Sequence, residues 1–179
     1  MFGIAEPQQR MVVENSSPAA FYHEQVQPII ENRCVVCHGC YDAPCQLKLS
    51  APEGIDRGAN KTLVYDGTRL IAETPQRLFI DQDSTAAWRN NGFYPVINER
   101  QQSATVNQTT GVMARLLALK QQHPLPQGQL LPKQFNFALD RQQQCPSDVE
   151  VDSYVTNYPD WGMPFGLPAL SAPEDKILQ

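Results

Sequence analysis

The sequence has 179 residues, of which 41% are hydrophobic and 18% are charged, enough apolar content for one domain with a modest core. The formal net charge of -5, with no run of Lys or Arg, excludes an electrostatic surface for nucleic acid or for an anionic membrane. No stretch approaches the roughly 20 apolar residues of a transmembrane helix, and the first residues lack the basic start and apolar run of a secretion signal.

A mainly α-helical fold of short helices and long ordered loops is expected, since the chain has fifteen prolines and ten glycines. Residues 1–15 are predicted to be a mobile lead-in. The Ser-Ser-Pro at 16–18 has the cap-then-proline arrangement that starts a helix. A second helix is predicted over 28–34, because a proline is tolerated in a first turn and two isoleucines follow it.

The middle of the chain changes its pattern several times. Short alternating apolar pieces over 46–66 predict one small β-hairpin. Helices are predicted over 84–91 and, from three apolar residues on one face, over 112–122. A Pro-rich connector is predicted over 124–132.

Two Ser-x-x-Glu capping boxes predict helices near the end of the chain: Ser147 with Glu150, and Ser171 with Glu174. The second helix reaches Gln179 while still short, so we expect the natural chain to continue.

Residues 34–38 read Cys-Val-Val-Cys-His, the C-x-x-C-H pattern of covalent haem attachment. Two thiols one helical turn apart can add to the two vinyl groups along one porphyrin edge, and the adjacent His38 then lies beneath the iron as its proximal ligand. The stretch from Phe21 to His38 resembles the first helix of small cytochrome c domains. We therefore expect haem c at Cys34, Cys37 and His38, in a cytochrome c-like domain over 16–179 with inserted loops at 46–111 and 124–145.

Met163 is the predicted sixth ligand, because Gly-Met-Pro ahead of the last helix resembles how cytochrome c domains supply a distal methionine. The alternative for Met163 is a core methionine beside Trp161. His123 is a weaker candidate, since a His before Pro at a helix end is usually a solvated terminal residue.

Cys34, Cys37, Cys40 and Cys45 also come close to an iron-sulfur spacing, and a zinc site is a second alternative. The iron-sulfur run carries its proline after the fourth cysteine, whereas Pro44 precedes Cys45. The iron-sulfur alternative leaves His38 without a role. The zinc alternative needs fewer residues than the sequence provides around the cysteines.

The remaining thiols, Cys40, Cys45 and Cys145, are expected in an oxidising compartment if haem is present. A bridge between Cys40 and Cys45 is predicted, although spacing does not decide the pairing and buried free thiols remain the alternative.

Several longer strings resemble the fatty acid cis/trans isomerases, and the resemblance spans nearly all of residues 21–179. They are the run from Cys34 to Leu47, Arg77–Asp81, Trp88–Arg89, Gly92–Val96, His123–Pro126 and Trp161–Leu167.

The resemblance implies a periplasmic haem enzyme that converts cis double bonds of membrane phospholipid acyl chains to trans, with the rest of a longer chain beyond this part. It assigns haem binding to Cys34, Cys37 and His38 and no catalytic role to any other position. The iron held by His38 is then the expected reactive centre, as the only evident electron acceptor. The alternative function is a c-type cytochrome module that carries electrons for a periplasmic oxidoreductase.

Overall fold

The computed structural model describes residues 3–10, 16–126, 128–131, 135 and 144–179, and it confirms the predicted mainly helical class. The described residues form no β-strand, and their one isolated bridge joins Ala59 to Tyr94. Among these residues, no helix is both long and apolar enough to cross a membrane.

The N-terminal helices lead directly to the cysteine motif. Helix α1 (Ser17–Phe21) begins where predicted, with the Ser16 side chain accepting a hydrogen bond from the Ala19 N–H. A π-helical turn (Tyr22–Val26) connects it to α2 (Gln27–Arg33). Helix α3 (Val35–His38) follows after a kink at Cys34. Two buried isoleucines fix the inner face of α2, as the sequence indicates.

The predicted hairpin over 46–66 is wrong. A 3-10 turn (Pro44–Gln46) is followed by α4 (Pro52–Arg57), in which a proline occupies the first turn. Leu49 and Val64 are buried, but neither lies in a β-strand. Apolar residues that are buried outside a β-sheet can give the same alternating sequence pattern as a β-strand.

The segment predicted as a long loop over 46–111 contains three helices: α4, α5 (Thr85–Asn90) and α6 (Ala104–Thr110). Serine side chains cap the N-termini of α5 and α6 by accepting backbone N–H hydrogen bonds. The predicted long helix is confirmed as α7 (Val112–Gln122).

The C-terminal part holds α8 (Val151–Asn157), a 3-10 turn (Pro159–Trp161) and α9 (Ala172–Leu178). The capping box at the start of α9 is present as predicted. At the other box the Ser147 N–H donates to the Glu150 carboxylate at 2.9 Å. Helix α8 nevertheless begins only at Val151, so this prediction placed the helix start too early.

Helix α7 is the centre of the core because it packs on two sides. Leu116 and Leu119 join α8 residues in one apolar cluster, and Leu117 joins Ile29 and Leu170 in another. Met163 packs against both clusters.

Parts of two predicted segments lie outside the described residues. These are residues 1, 2 and 11–15 of the lead-in, and most of the predicted loop over 124–145, including parts of its Pro-rich connector. Within the lead-in, the Glu6 N–H donates to the Glu99 carbonyl at 2.9 Å.

Candidate haem-binding site

The two motif cysteines lie one helical turn apart, as attachment to one porphyrin edge requires. The Cys34 carbonyl accepts hydrogen bonds from the Cys37 N–H at 3.1 Å and from the His38 N–H at 2.9 Å. Cys34 and His38 are half-buried and Cys37 is exposed. Burial raises the pKa of the Cys34 thiol to about 11, so the thiol is protonated at neutral pH.

Cys34, Cys37, His38 and Met163 all line one cleft, which encloses about 1030 Å³ of empty space with its open mouth included. The lining is mostly apolar and comes from distant parts of the chain. It includes Leu47, Val96, Val112, Leu116, Phe165 and Leu167.

The imidazole of His38 is fixed by a backbone carbonyl. Its Nδ1 lies 3.1 Å from the Leu47 oxygen. A carbonyl only accepts, so Nδ1 carries the proton and Nε2 keeps its lone pair for a metal. Burial lowers the pKa of His38, although the hydrogen bond to Leu47 opposes this effect. The neutral imidazole, which is the form that can bind a metal ion, is therefore favoured.

Met163 reaches the cleft because the chain passes very close to helix α7. The Met163 N–H donates to the Leu116 carbonyl at 2.9 Å. A Cβ atom on the preceding Gly162 would lie only 2.3 Å from the Lys120 nitrogen. The predicted sulfur ligand and the predicted imidazole thus share one cavity. His123, in contrast, is an exposed residue at the end of α7 and does not line the cleft.

The predicted bridge between Cys40 and Cys45 is wrong, because Cys45 forms a disulfide with Cys145. The Cα atoms of this pair are 5.6 Å apart, although 100 positions separate them in the chain. Cys45 has a φ of 57°, in the left-handed region that non-glycine residues rarely adopt. Cys40 is a free, exposed thiol. The disulfide lines the cleft and holds residues 144–146 in its wall.

The disulfide also bears on the four-cysteine alternatives. Cys45 is no longer available as the fourth thiolate of an iron-sulfur or zinc site. Among the described residues, no three His, Cys, Asp or Glu side chains come together as metal ligands.

Comparison with known protein families identifies the chain. The family model for fatty acid cis/trans isomerase matches residues 73–179, more than half of the sequence. The chain belongs to the fatty acid cis/trans isomerase family. Members of this family are cis/trans isomerase enzymes. No curated protein and no solved structure matches the chain.

The part matched to the isomerase family contributes one side of the cleft. It includes Met163, Phe165 and the α7 residues that line the cavity. The Cys-x-x-Cys-His motif precedes the matched segment, and the fold brings the two parts together at one cavity.

Sequence reasoning missed the Leu47 carbonyl, because no backbone atom carries a residue-type signal. It also missed residues 144–146, which line the cleft beside the disulfide between Cys45 and Cys145.

Proposed function

We propose that this chain is the haem-bearing part of a periplasmic enzyme that converts cis double bonds in membrane phospholipid acyl chains to trans. The observation that carries the proposal is the shared apolar cleft of Cys34, Cys37, His38 and Met163 in a member of the isomerase family.

The residues around the cleft fit a covalently attached haem c. Cys34 and Cys37 would form the two thioethers, and His38 would offer Nε2 to the iron while Leu47 holds its other nitrogen. Met163 would supply the sulfur ligand from the same cavity. The mostly apolar lining suits the porphyrin face, since large ligands bind in predominantly apolar pockets with a few directed polar groups.

When bound, haem supplies an electron acceptor that can lower the order of a carbon-carbon double bond enough to permit rotation. The protein's own contribution is positional. The two thiols would fix the group in the cleft, and the His38 Nδ1–H donates a hydrogen bond to the Leu47 carbonyl, which orients the imidazole. Apolar side chains such as Phe165 and Leu167 exclude water from the cleft and offer a surface that an acyl chain can contact.

Two exposed loops support contact with a lipid surface. Tyr65, Leu70 and Ile71 project from one, and Phe79 and Ile80 from the other; Leu70 is fully exposed and Ile71 is 81% exposed. Apolar side chains exposed close together in sequence offer a surface that lipid can cover.

The charged side chains of these loops are engaged within each loop. Arg69 pairs with Glu73 at 3.2 Å, and Arg77 pairs with Asp81 at 2.9 Å. With a net charge of -5, the contact would be apolar and would not require anionic lipid.

The periplasmic assignment is supported by the disulfide between Cys45 and Cys145. Structural disulfides form and persist in oxidising compartments such as the bacterial periplasm, and are rare in the cytosol.

The test is an isomerisation assay with protein exported in a host that matures c-type cytochromes. The protein is incubated with vesicles of a cis-monounsaturated phosphatidylethanolamine, and the trans fraction of the released fatty acids is measured by gas chromatography. We expect trans product from the wild type and none from Cys34→Ala/Cys37→Ala. A haem-loaded protein that exchanges electrons but gives no trans product would contradict the proposal and favour the electron-carrier alternative.

A further inference from the structure

Arg57 is the most deeply buried charged residue in the described part of the chain, with 0% of its surface exposed. It has no salt-bridge partner among the described carboxylates. Its guanidinium carbon instead lies 4.9 Å from the ring centre of Phe93, with Tyr41 and Trp88 within 5.8 Å. Burying a charge is costly without compensation, and aromatic faces supply only part of it.

The two outer nitrogens of Arg57 hold two loops by their backbone. Nη1 donates to the Gln76 carbonyl at 2.5 Å, and Nη2 donates to the Gln46 carbonyl. Gln46 has a φ of 49°, in the left-handed region that non-glycine residues rarely adopt. The buried Gln46 side chain provides a second anchor, since its Nε2 donates to the Thr62 carbonyl at 2.8 Å.

The anchored carbonyl of Gln46 belongs to the peptide group that begins Leu47. A peptide group is planar, so fixing the Gln46 oxygen also fixes the nitrogen of Leu47 and the direction in which that residue continues. The Leu47 carbonyl is the acceptor for His38 Nδ1, at 3.1 Å. A continuous set of contacts therefore runs from Arg57 through Gln46 and Leu47 to the imidazole.

We infer that Arg57 and Gln46 act together as positioning residues, which hold the Leu47 carbonyl against His38 Nδ1 and so set the orientation and basicity of the proximal imidazole. The hydrogen-bond partner of a metal-bound histidine orients the ring and raises its basicity. The effect on haem rests on the proposed function. The hydrogen bond between His38 Nδ1 and the Leu47 carbonyl does not depend on it.

The test measures the His38 hydrogen bond and the haem reduction potential in Arg57→Lys. Lysine keeps the positive charge but lacks the planar fork that reaches two carbonyls at once. In the reduced haem protein, we expect the His38 Nδ1 proton to exchange with solvent roughly five- to tenfold faster by NMR, the factor expected from one weakened hydrogen bond. We also expect a higher reduction potential, because a less basic imidazole stabilises ferric iron less.

Arg89→Lys is the matched control. Arg89 donates to the carbonyls of Asp56 at 2.9 Å and Arg57 at 2.8 Å, at the same end of α4, but donates no hydrogen bond to Gln46. General loosening of α4 would affect both variants alike. An equal change in exchange rate and potential in Arg89→Lys would overturn the inference, as would unchanged values in Arg57→Lys.

Gln46→Leu provides a second test of the inference if Arg57→Lys fails to fold or to take up haem. It removes the anchor to Thr62 while keeping Arg57 and the volume of the side chain. Faster exchange of the same His38 proton would support the inference, and an unchanged rate would overturn it. Failure of the proposed function is recognised separately, because the wild type would then either carry no haem or carry haem and give no trans product in the isomerisation assay.

Discussion

Replacing Gly162 with Ala is expected to displace Met163 from the proposed haem cleft and to destabilise the fold. The added Cβ would lie 2.3 Å from the Lys120 nitrogen, 2.8 Å from the Lys120 Cα and 2.9 Å from the Leu116 oxygen. All three are backbone atoms of α7, so no flexible side chain can yield. Ordinary contacts begin near 3.5 Å, and the segment must therefore shift by about 1 Å or more.

That shift would weaken the hydrogen bond from the Met163 N–H to the Leu116 carbonyl. Overpacking of this kind costs about 1–3 kcal/mol. For a chain of this size, each kcal/mol lowers the thermal midpoint by about 2–4 °C. The haem protein should also lose the near-infrared band that marks sulfur ligation of ferric iron.

The assay compares thermal unfolding and the ferric spectrum of Gly162→Ala with those of the wild type and of Gly67→Ala. A Cβ on Gly67 would meet no atom within 4 Å, so this control introduces the same residue without a clash. Wild-type stability together with an unchanged sulfur-ligated spectrum in Gly162→Ala would refute the reasoning.

Three further predictions concern the disulfide, one carboxylate and the exposed loops. Cys45→Ala/Cys145→Ala should lower the free energy of unfolding by about 2–5 kcal/mol in urea titrations, since the lost bridge closes a loop of about 100 residues. Hydrogen bonds from a lysine ammonium and then from a serine lower the pKa of Glu150 from 4.5 to about 2. A depressed folded-state pKa stabilises the fold above pH 4.5, and this stabilisation is lost as the pH falls towards 2. Glu150→Gln should therefore be less stable than the wild type at pH 7, by less than about 1 kcal/mol because the site is exposed, and the difference should shrink below pH 4.5. Leu70→Glu/Ile71→Glu should weaken binding to phosphatidylcholine vesicles at least about tenfold in co-sedimentation, because two apolar side chains lose their burial in lipid.

Each of these has its own control. Wild-type protein with a reductant should match the disulfide variant in urea, and a variant as stable as the oxidised wild type would contradict that prediction. A difference between Glu150→Gln and the wild type that stays constant down to pH 3 would contradict the pH prediction. Leu130→Glu introduces a charge at another fully exposed leucine. Equal loss of vesicle binding in Leu130→Glu would refute a specific role for the loop.

Local signals in the sequence predicted much of the helical framework. Ser16 and Ser171 cap helices where expected, and the apolar face of Val112–Gln122 faces the core. Capping and periodicity act within one or two turns, so they can be read from neighbouring residues. Helix α6 (Ala104–Thr110) was missed because its threonines, valine and asparagine are weak helix formers.

Long-range contacts could not be predicted in this way. The hairpin over 46–66 was inferred from alternating apolar residues, but the buried Leu49 and Val64 lie outside any β-strand. The disulfide joins Cys45 to a partner 100 positions away, whereas Cys40 is near in sequence but faces solvent. The cleft itself depends on tertiary packing, although four of the side chains that line it, Cys34, Cys37, His38 and Met163, were identifiable from their local motifs.

Covalent haem attachment is the central claim, and intact-mass spectrometry of exported protein tests it most directly. Wild-type protein matured in a host competent for c-type cytochromes should gain the mass of one haem, which should persist after acid-acetone extraction. Cys34→Ala/Cys37→Ala should lack it. Correctly exported wild-type protein that is colourless, with the mass of the bare chain and both motif thiols open to alkylation, would contradict the account.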